Sequence, residues 1–355
     1  MFIVLPEVRR YTDVDRCWSY LAESIKSLDF QIITSHEDIC LDAAGRLIGS
    51  PYRLSWLAFQ QLCSYAANGL SKLLVDLIGI PKQDDVIVSQ ATAIQIFNSC
   101  TRLRFNARDG IYQKKLMRFG EGKTIEGVVN VSYRHLPNWQ LLESSLSQFP
   151  QAEFIGGTLV GKRFGYLLKI HQDPLETSMG PVYGCLYIGN SEVGECGVRA
   201  SAAIVPCNTS QRLLVRMHYV SHTGNRFRKR VSGLLRCASG DLDRLLKRWA
   251  EWAKHMEISL DLISDDAICD KRHAMWVRRL VQYGVPRYVA AAGVCAVECL
   301  NEDPALLPAR NDIESIKKRT VGELSWNLLS FTDGKPFILR ERVEPAVFRL
   351  IDRLK

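Results

Sequence analysis

The stretch AEFIGGTLVGKRFGYLLKI, residues 152–170, decides the fold class, because it is rich in β-branched and aromatic residues and is punctuated by glycines. Two apolar runs of strand length joined at a glycine turn are typical of a β-hairpin. Three similar runs lie around it: IEGVVNVSY at 125–133, VYGCLYI at 182–188 and CGVRASAAIV at 196–205. Together they predict an antiparallel sheet between about Thr124 and Ser221.

The same stretch contains a near match to a nucleotide-binding P-loop. In GGTLVGKR, residues 156–163, two glycines precede Lys162, but Arg163 stands where a P-loop needs Ser or Thr to bind magnesium. The following FGYLLKI has strand composition, whereas a P-loop continues into a helix whose N-terminus faces the phosphates. The sequence therefore predicts a hairpin here and no nucleotide cofactor.

Helical patterns flank the predicted sheet on both sides. Asp13 and Ser55 each precede apolar residues at helical spacing and can cap a first turn. Asn138 can cap a helix over Trp139 to Leu146 that interrupts the strands, and DLDRLLKRWAEWAKHM, residues 241–256, indicates a helix after Gly240.

This order of elements predicts an α+β fold, with a central antiparallel sheet flanked by N-terminal and C-terminal helices. We expect a mostly helical N-terminal part over 1–120, a β-rich core that carries a basic segment over 121–240, and a helical C-terminal part over 241–355. The three parts are expected to form one compact unit.

Composition narrows the class of protein. The chain has 355 residues, 47% of them hydrophobic, so it can bury a large core, and its net charge of +8 favours acidic partners. Its 11 cysteines lack the spacing of a disulfide framework, which favours a reducing compartment. The N-terminus lacks the features of a signal peptide, and the most apolar later stretch, 285–300, is shorter than the ~20 residues of a bilayer span. We therefore expect a cytoplasmic protein with no membrane partner.

The stretch from Cys196 to Gly240, called here the basic segment, contains no Asp or Glu and creates a strong positive field. Its cations are Arg199, Arg212, Arg216, Arg226, Arg228, Lys229, Arg230 and Arg236. Within it, HTGNRFRKR at 222–230 predicts a turn at which His222 and several cations contact phosphates while Phe227 stacks on a base. A solvated basic face, or cations paired with Asp241, Asp243 or more distant acids, is the alternative.

A second group of cations precedes the predicted sheet and adjoins the Tyr133-Arg134-His135 corner. Its members are Arg102, Arg104, Arg108, Lys114, Lys115 and Arg118, with only Asp109 nearby. If it shares a surface with the basic segment, the case for a polyanion partner becomes stronger.

The sequence contains no pattern that predicts metal binding or catalysis. His218 and His222 lie four residues apart, as two metal ligands would, but no spacing rule selects a third ligand. Cys295 and Cys299 lie in an apolar context typical of packed thiols. No strained G-x-S-x-G turn is present. We therefore predict no catalytic residue, no metal and no cofactor.

Three segments taken in order resemble a phage/plasmid-like protein family named domain of unknown function 932. The first is HEDICLDAAGRLIGSPYRLSWLAFQQLCSYA at 36–66, the second is VSYRHLPNWQLLESSL at 131–146, and the third is YIGNSEVGECGVRASAAIVPCN at 187–208. The chain departs from the family at Pro206 and Thr209. The resemblance implies a mobile genetic element, a cytoplasmic location and a part in DNA metabolism such as single-strand binding or annealing.

The third segment contains a motif that we expect to form a tight turn with free side-chain donors and acceptors beside the basic strand. Its residues are Asn190, Ser191, Glu192 and Gly194. A purely structural hairpin explains the same residues equally well.

The sequence thus predicts a protein that binds nucleic acid, with single-stranded DNA as the expected partner, acting either alone or as a homo-oligomer. Two alternatives remain open. One is an interaction protein that inhibits an acidic host protein through the same positive surface. The other is a metal-dependent enzyme that acts on nucleic acid through His218, His222 and a third ligand.

Overall fold

The structure is a computed structural model of the chain, and it describes the larger part of residues 1–259 and a few residues beyond them. The described residues are 3–4, 8–23, 28–34, 36–66, 70, 74, 90–106, 114–119, 124–171, 173–176, 180–207, 212–255, 257–259, 278, 318–320, 344–345 and 348.

The helices and strands are numbered in chain order. The helices are α1 (Val14–Glu23), α2 (Trp56–Ala66), α3 (Gln90–Asn106), α4 (Asn138–Gln148) and α5 (Phe227–His255), with a 3-10 helix at His36–Ile39. The strands are β1 (Ile3–Val4), β2 (Val8–Tyr11), β3 (Leu28–Ile32), β4 (Arg53–Ser55), β5 (Lys114–Phe119), β6 (Thr124–Asn130), β7 (Glu153–Val160), β8 (Arg163–Lys169), β9 (Val182–Ser191), β10 (Val198–Pro206), β11 (Leu213–Leu214), β12 (His218–Val220), β13 (Glu257–Ser259) and β14 (Lys318–Thr320).

The larger sheet contains three of the four strand runs that the sequence predicts for one antiparallel sheet. The fourth run, 125–133, forms β6 of a second sheet instead, so its predicted place is wrong. The order of the larger sheet is β11-β10-β9-β8-β7-β2, with β12 also paired to β10. β7 and β8 form the predicted hairpin, and Gly161 at its turn has φ +59°, a left-handed conformation that glycine adopts without strain. The P-loop alternative is therefore wrong.

Three helices cover one face of this sheet. Apolar side chains of α1, α4 and α5 pack on alternate residues of the strands, as the two-residue period of a strand requires. Cys17 and Leu21 come from α1, Leu141 from α4 and Leu235 from α5, and each is almost fully buried. Each buried leucine contributes about 1.5–3 kcal/mol of hydrophobic free energy. Asp13 caps α1 as predicted, since its Oδ1 accepts from the Arg16 N–H at 2.8 Å.

A second sheet lies in the N-terminal part, where the sequence analysis predicts mainly helices. It has five strands in the order β1-β4-β6-β5-β3, and the β1-β4 and β4-β6 pairs are parallel. α2 and α3 pack on one of its faces. Ser55 caps α2 as predicted, and its hydroxyl accepts from the Ala58 N–H at 3.1 Å. The N-terminal part therefore contains, beside its helices, a sheet that the sequence does not predict.

The long C-terminal-side helix begins earlier than predicted. α5 starts at Phe227, within the basic segment, and continues through Gly233 and Gly240 to His255. A Cβ added to either glycine would meet nothing within 4 Å, so both lie on an open side of the helix, where they do not interrupt packing. None of the helices that the structure describes is long and apolar enough to cross a bilayer.

The α+β class is confirmed: a mostly antiparallel sheet packs against helices from both sides of it in sequence. The helices predicted beyond His255 lie almost entirely outside the described residues, and the domain boundaries stay predictions. The predicted cap of α4 is wrong, because Pro137 occupies the capping position without a side-chain hydrogen bond and Asn138 is fully buried.

Candidate nucleic-acid interface

An open groove of about 780 Å³, called here the basic groove, lies where the two sheets meet. One wall is the loop that follows β6, through Tyr133, Arg134 and His135. The opposite wall is the turn and first turn of α5 over 224–229, and Phe30 of β3 closes one end.

The turn before α5 directs the basic residues into this groove. Gly224 has φ +84°, so the chain reverses there without the strain that a side chain would introduce. The guanidinium of Arg230 donates to the carbonyls of Ser221 and Thr223, and the Arg230 N–H donates to the Arg226 carbonyl at 3.0 Å. The predicted turn is therefore present, and a helix begins directly after it.

The exposed cations concentrate at the start of α5. Arg226, Arg228, Lys229 and Arg230 are all exposed, and α5 has no acidic residue in its first turn. Among the residues that the structure describes, no carboxylate forms an ion pair with any of the four. The helix dipole adds partial positive charge at the same place.

Arg134 adds a cation from the opposite wall. Its side chain is exposed and donates to the Asn225 amide oxygen at 3.4 Å. The guanidinium of Arg228 donates to Gln140 Oε1 at 3.1 Å, which is a neutral partner. The positive charge of both arginines is therefore available to an anion in the groove.

The aromatic residue that faces the groove differs from the predicted one. Phe227, the first residue of α5, touches the groove but is only 4% exposed and packs into the core, so the prediction that it stacks on a base is wrong. Phe30 is 36% exposed and stands edge-on to the ring of His135, with 6.3 Å between centroids. The alternation of apolar and polar residues in LDFQI, residues 28–32, is the sequence signal that would place Phe30 on a strand.

His222, which the sequence predicts as a phosphate contact, is buried. It is 4% exposed and lies between the rings of Tyr133 and Phe227, at centroid distances of 4.8 and 4.9 Å. Its Nδ1 is 2.9 Å from the Arg134 carbonyl oxygen, and its Nε2 is 2.9 Å from Asn190 Oδ1. The prediction that His222 contacts phosphate directly is therefore wrong.

The residues of the third resembling segment are likewise buried. Asn190, Ser191 and Glu192 are at most 1% exposed, and Gly194 makes the turn with φ +74°. The amide of Asn190 donates to the Leu136 carbonyl and to Asn138 Oδ1, both at 2.9 Å. The expectation of free donors at this turn is therefore wrong. The motif is instead a buried structural junction.

Glu192 is the ionisable member of this junction. Its Oε1 accepts from the Asn138 N–H at 2.6 Å. Burial raises the pKa of Glu192 to about 7, against the opposing effects of the Asn138 hydrogen bond and the charge of Lys162. The carboxyl group therefore titrates near neutral pH inside the protein.

Two further arginines of the basic segment lie away from the groove. Arg212 is 7% exposed, pairs with the fully buried Glu344 at 2.8 Å and lies over the Tyr187 ring at 4.6 Å. Its assignment to phosphate binding is therefore wrong. Val198 and Ala200 pack beneath α5, so Arg199 between them points to the opposite face of the sheet, away from the groove. Arg216 is exposed but does not line the groove.

The second group of cations is spread over two elements. Arg102 is exposed on α3, and the Lys114 ammonium lies 4.4 Å from the centre of the Tyr65 ring of α2, on the core side of the sheet. Lys114 therefore does not reach the groove. The structure describes the backbone of Arg104, Lys115 and Arg118, while Arg108 lies outside the described residues. β5 is nonetheless the neighbour of β3, which carries Phe30.

The described residues do not support a metal site. Among them, no three His, Cys, Asp or Glu side chains converge as ligands. His218 hydrogen-bonds Asp241 at 2.7 Å, whereas His222 belongs to the buried network with Asn190. The two histidines therefore have separate structural partners.

Comparison with known proteins gives no assignment: no family model matches the chain, and no curated protein and no solved structure is significantly similar to it. The resemblance in the three sequence segments stays a prediction.

Proposed function

We propose that this protein binds single-stranded nucleic acid, with DNA as the expected form, in the basic groove. The observation that carries the proposal is the juxtaposition of exposed cations from two walls with the half-exposed ring of Phe30. None of Arg226, Arg228 and Lys229 pairs with a described carboxylate. Their charge therefore remains available for phosphates.

Phosphate contact is favoured by the placement of these cations. Cations at a helix N-terminus are unfavourable for the helix by about 0.3–1 kcal/mol each, because they repel the positive end of its dipole. A bound phosphate would reverse this repulsion and would meet free N–H groups of the first turn as well. Arg134 on the other wall would contact the same backbone or the adjoining phosphate.

Phe30 favours an unpaired strand over a duplex. A base must expose its face to stack on a ring, and bases inside a duplex are already stacked on their neighbours. A single aromatic platform with arginines and lysine around it holds a strand without reading its sequence. We expect little sequence dependence and a preference for single strands.

The test measures affinity for a fluorescent thymidine oligonucleotide as a function of salt. The variant R226A/R228A/K229A removes three groove cations, and R216A/R236A/K247A removes three exposed cations that do not line the groove. Each lost phosphate contact lowers the slope of log K against log salt by about 0.7 for a single strand. We expect the groove variant to lose affinity and slope much more than the control variant.

Three results would contradict the proposal. One is the absence of binding at low salt, and another is equal weakening by the two variants. The third is that the chain binds an acidic protein tightly and does not bind the oligonucleotide. This result would favour the alternative of an interaction protein.

A further inference from the structure

His222 joins the two walls of the basic groove. Its carbonyl oxygen accepts from the Arg134 N–H at 2.7 Å, and its Nδ1 lies 2.9 Å from the Arg134 carbonyl oxygen. His222, two residues before the wall at 224–229, is thus held to Arg134 of the opposite wall by two contacts. The separation of the walls depends on both.

Both ring nitrogens of His222 face hydrogen-bond acceptors. The Arg134 carbonyl oxygen can only accept from Nδ1. The Asn190 amide nitrogen already donates to the Leu136 carbonyl, so its oxygen must be the atom that faces Nε2. A neutral imidazole carries one N–H and can satisfy one of these acceptors, whereas the imidazolium satisfies both.

The surroundings of His222 oppose the second proton in the free protein. Burial lowers the pKa of His222 to about 4, although the hydrogen bond to the Arg134 carbonyl acts in the opposite direction. The ring is therefore neutral at pH 7, with one of its two contacts weakened.

A polyanion in the groove would act against this effect of burial on His222. The Tyr133 and Phe227 rings that sandwich His222 are also part of the groove walls, so phosphates there lie one side chain away from the imidazole. Negative charge at that distance favours the imidazolium and strengthens both contacts between the walls.

We propose that His222 is a positioning residue of the basic groove that takes up a proton when single-stranded nucleic acid binds, so that affinity rises as pH falls. This inference rests on the proposed function. The other titratable groups around His222 are Tyr133 and His135 on the loop after β6 and Glu192 beyond Asn190. His135 lines the groove itself and must be separated from His222 in any test.

The direct test follows the carbon-13 ring signals of the seven histidines by NMR during pH titrations, without and with a thymidine oligonucleotide. H222Q identifies the His222 signal by its loss. We expect the pKa of His222 to be higher in the complex. This measurement uses the native chain and so does not depend on the folding of a variant.

The matching binding test measures affinity against pH for the native chain, H222Q, H135Q and H218Q. One linked proton changes affinity by up to tenfold per pH unit between the free and bound pKa values. We expect H222Q to lose this gain, which begins as pH falls below the pKa of His222 in the complex and ends near the free value of about 4. H218Q should keep it, because His218 pairs with Asp241 and does not line the groove.

The outcomes separate the two proposals. If the oligonucleotide binds but leaves the His222 titration unchanged, or if only H135Q alters the pH dependence, the role of His222 is wrong and the proposed function stands. If the oligonucleotide does not bind at any pH, the proposed function fails and this inference fails with it.

Discussion

The two halves of the basic segment look alike in sequence and differ in structure. In the first half, Arg212 is buried against Glu344, which lies 132 residues further along the chain. In the second half, Arg226, Arg228 and Lys229 are exposed at the start of α5 without a described carboxylate partner. The comparison teaches that an acid-free run shows where cations occur, while their neutralisation depends on residues far away in sequence.

The largest expected effect is on stability and concerns the buried Arg212. We expect Arg212→Ala to lower the free energy of unfolding by about 3–5 kcal/mol, because it removes the guanidinium that pairs with the buried Glu344 carboxylate. Urea unfolding checks this, with Arg216→Ala, an exposed cation of the same segment, as the control within about 0.5 kcal/mol of the native chain. If Arg212→Ala were as stable as Arg216→Ala, the claim that Arg212 is a buried structural cation would be contradicted.

The next effect concerns the pH dependence of stability that the buried carboxyl group of Glu192 causes. Because burial raises the pKa of Glu192 to about 7, its contribution to stability is complete below the unfolded pKa of about 4.3 and is lost as pH rises through 7. We expect Glu192→Gln to flatten that loss, which is of the order of 3 kcal/mol. Unfolding midpoints between pH 4 and pH 8 measure it. Glu143→Gln, at an exposed position on α4, keeps Glu192 and should keep the full loss, so an equal flattening in that variant would contradict this assignment.

A smaller effect concerns the aromatic residue of the groove. We expect Phe30→Ala to weaken binding of a single-stranded thymidine oligonucleotide by about 1–3 kcal/mol and to leave the weaker binding of duplex unchanged. Fluorescence anisotropy measures both. Trp18→Ala is the control, since Trp18 is 41% exposed but packs on Trp139 outside the groove. Equal losses for single strand and duplex would exclude base stacking on Phe30.

The smallest effect concerns the stability of the exposed half. We expect R226A/R228A/K229A to be as stable as the native chain or more stable by about 1 kcal/mol, because it removes cations that repel the start of α5. Thermal unfolding measures this. Marked destabilisation would show that these cations stabilise the fold, and the contrast with Arg212 would disappear.

Local signals in the sequence predict the larger sheet well. The β7-β8 hairpin and the caps at Asp13 and Ser55 depend on neighbouring residues, which a sequence pattern contains. Of the smaller sheet, only β6 was predicted as a strand. β1, β3 and β4 were missed because they are short and pair with partners far apart in sequence, such as Leu54 of β4 with Ile125 of β6. Pairing at that distance leaves little local signal.

The candidate site could be predicted only in part. The absence of acids in the basic segment identified the cations at the start of α5. Four of these cations are exposed as expected: Arg226, Arg228, Lys229 and Arg230. The opposite wall at Arg134 and the ring of Phe30 come from separate elements, and their approach depends on how the two sheets pack. The burial of His222 and Phe227 follows from the start of α5, which the glycines at 233 and 240 obscured.

The most direct measurement of the central claim is hydrogen exchange of the native chain with and without a thymidine oligonucleotide. We expect slower exchange in peptides that cover 131–137 and 224–230, the two walls of the basic groove, and no change in peptides that cover 212–216. Protection at 212–216 with none at the groove walls would contradict the assignment of the polyanion site to the exposed half of the basic segment.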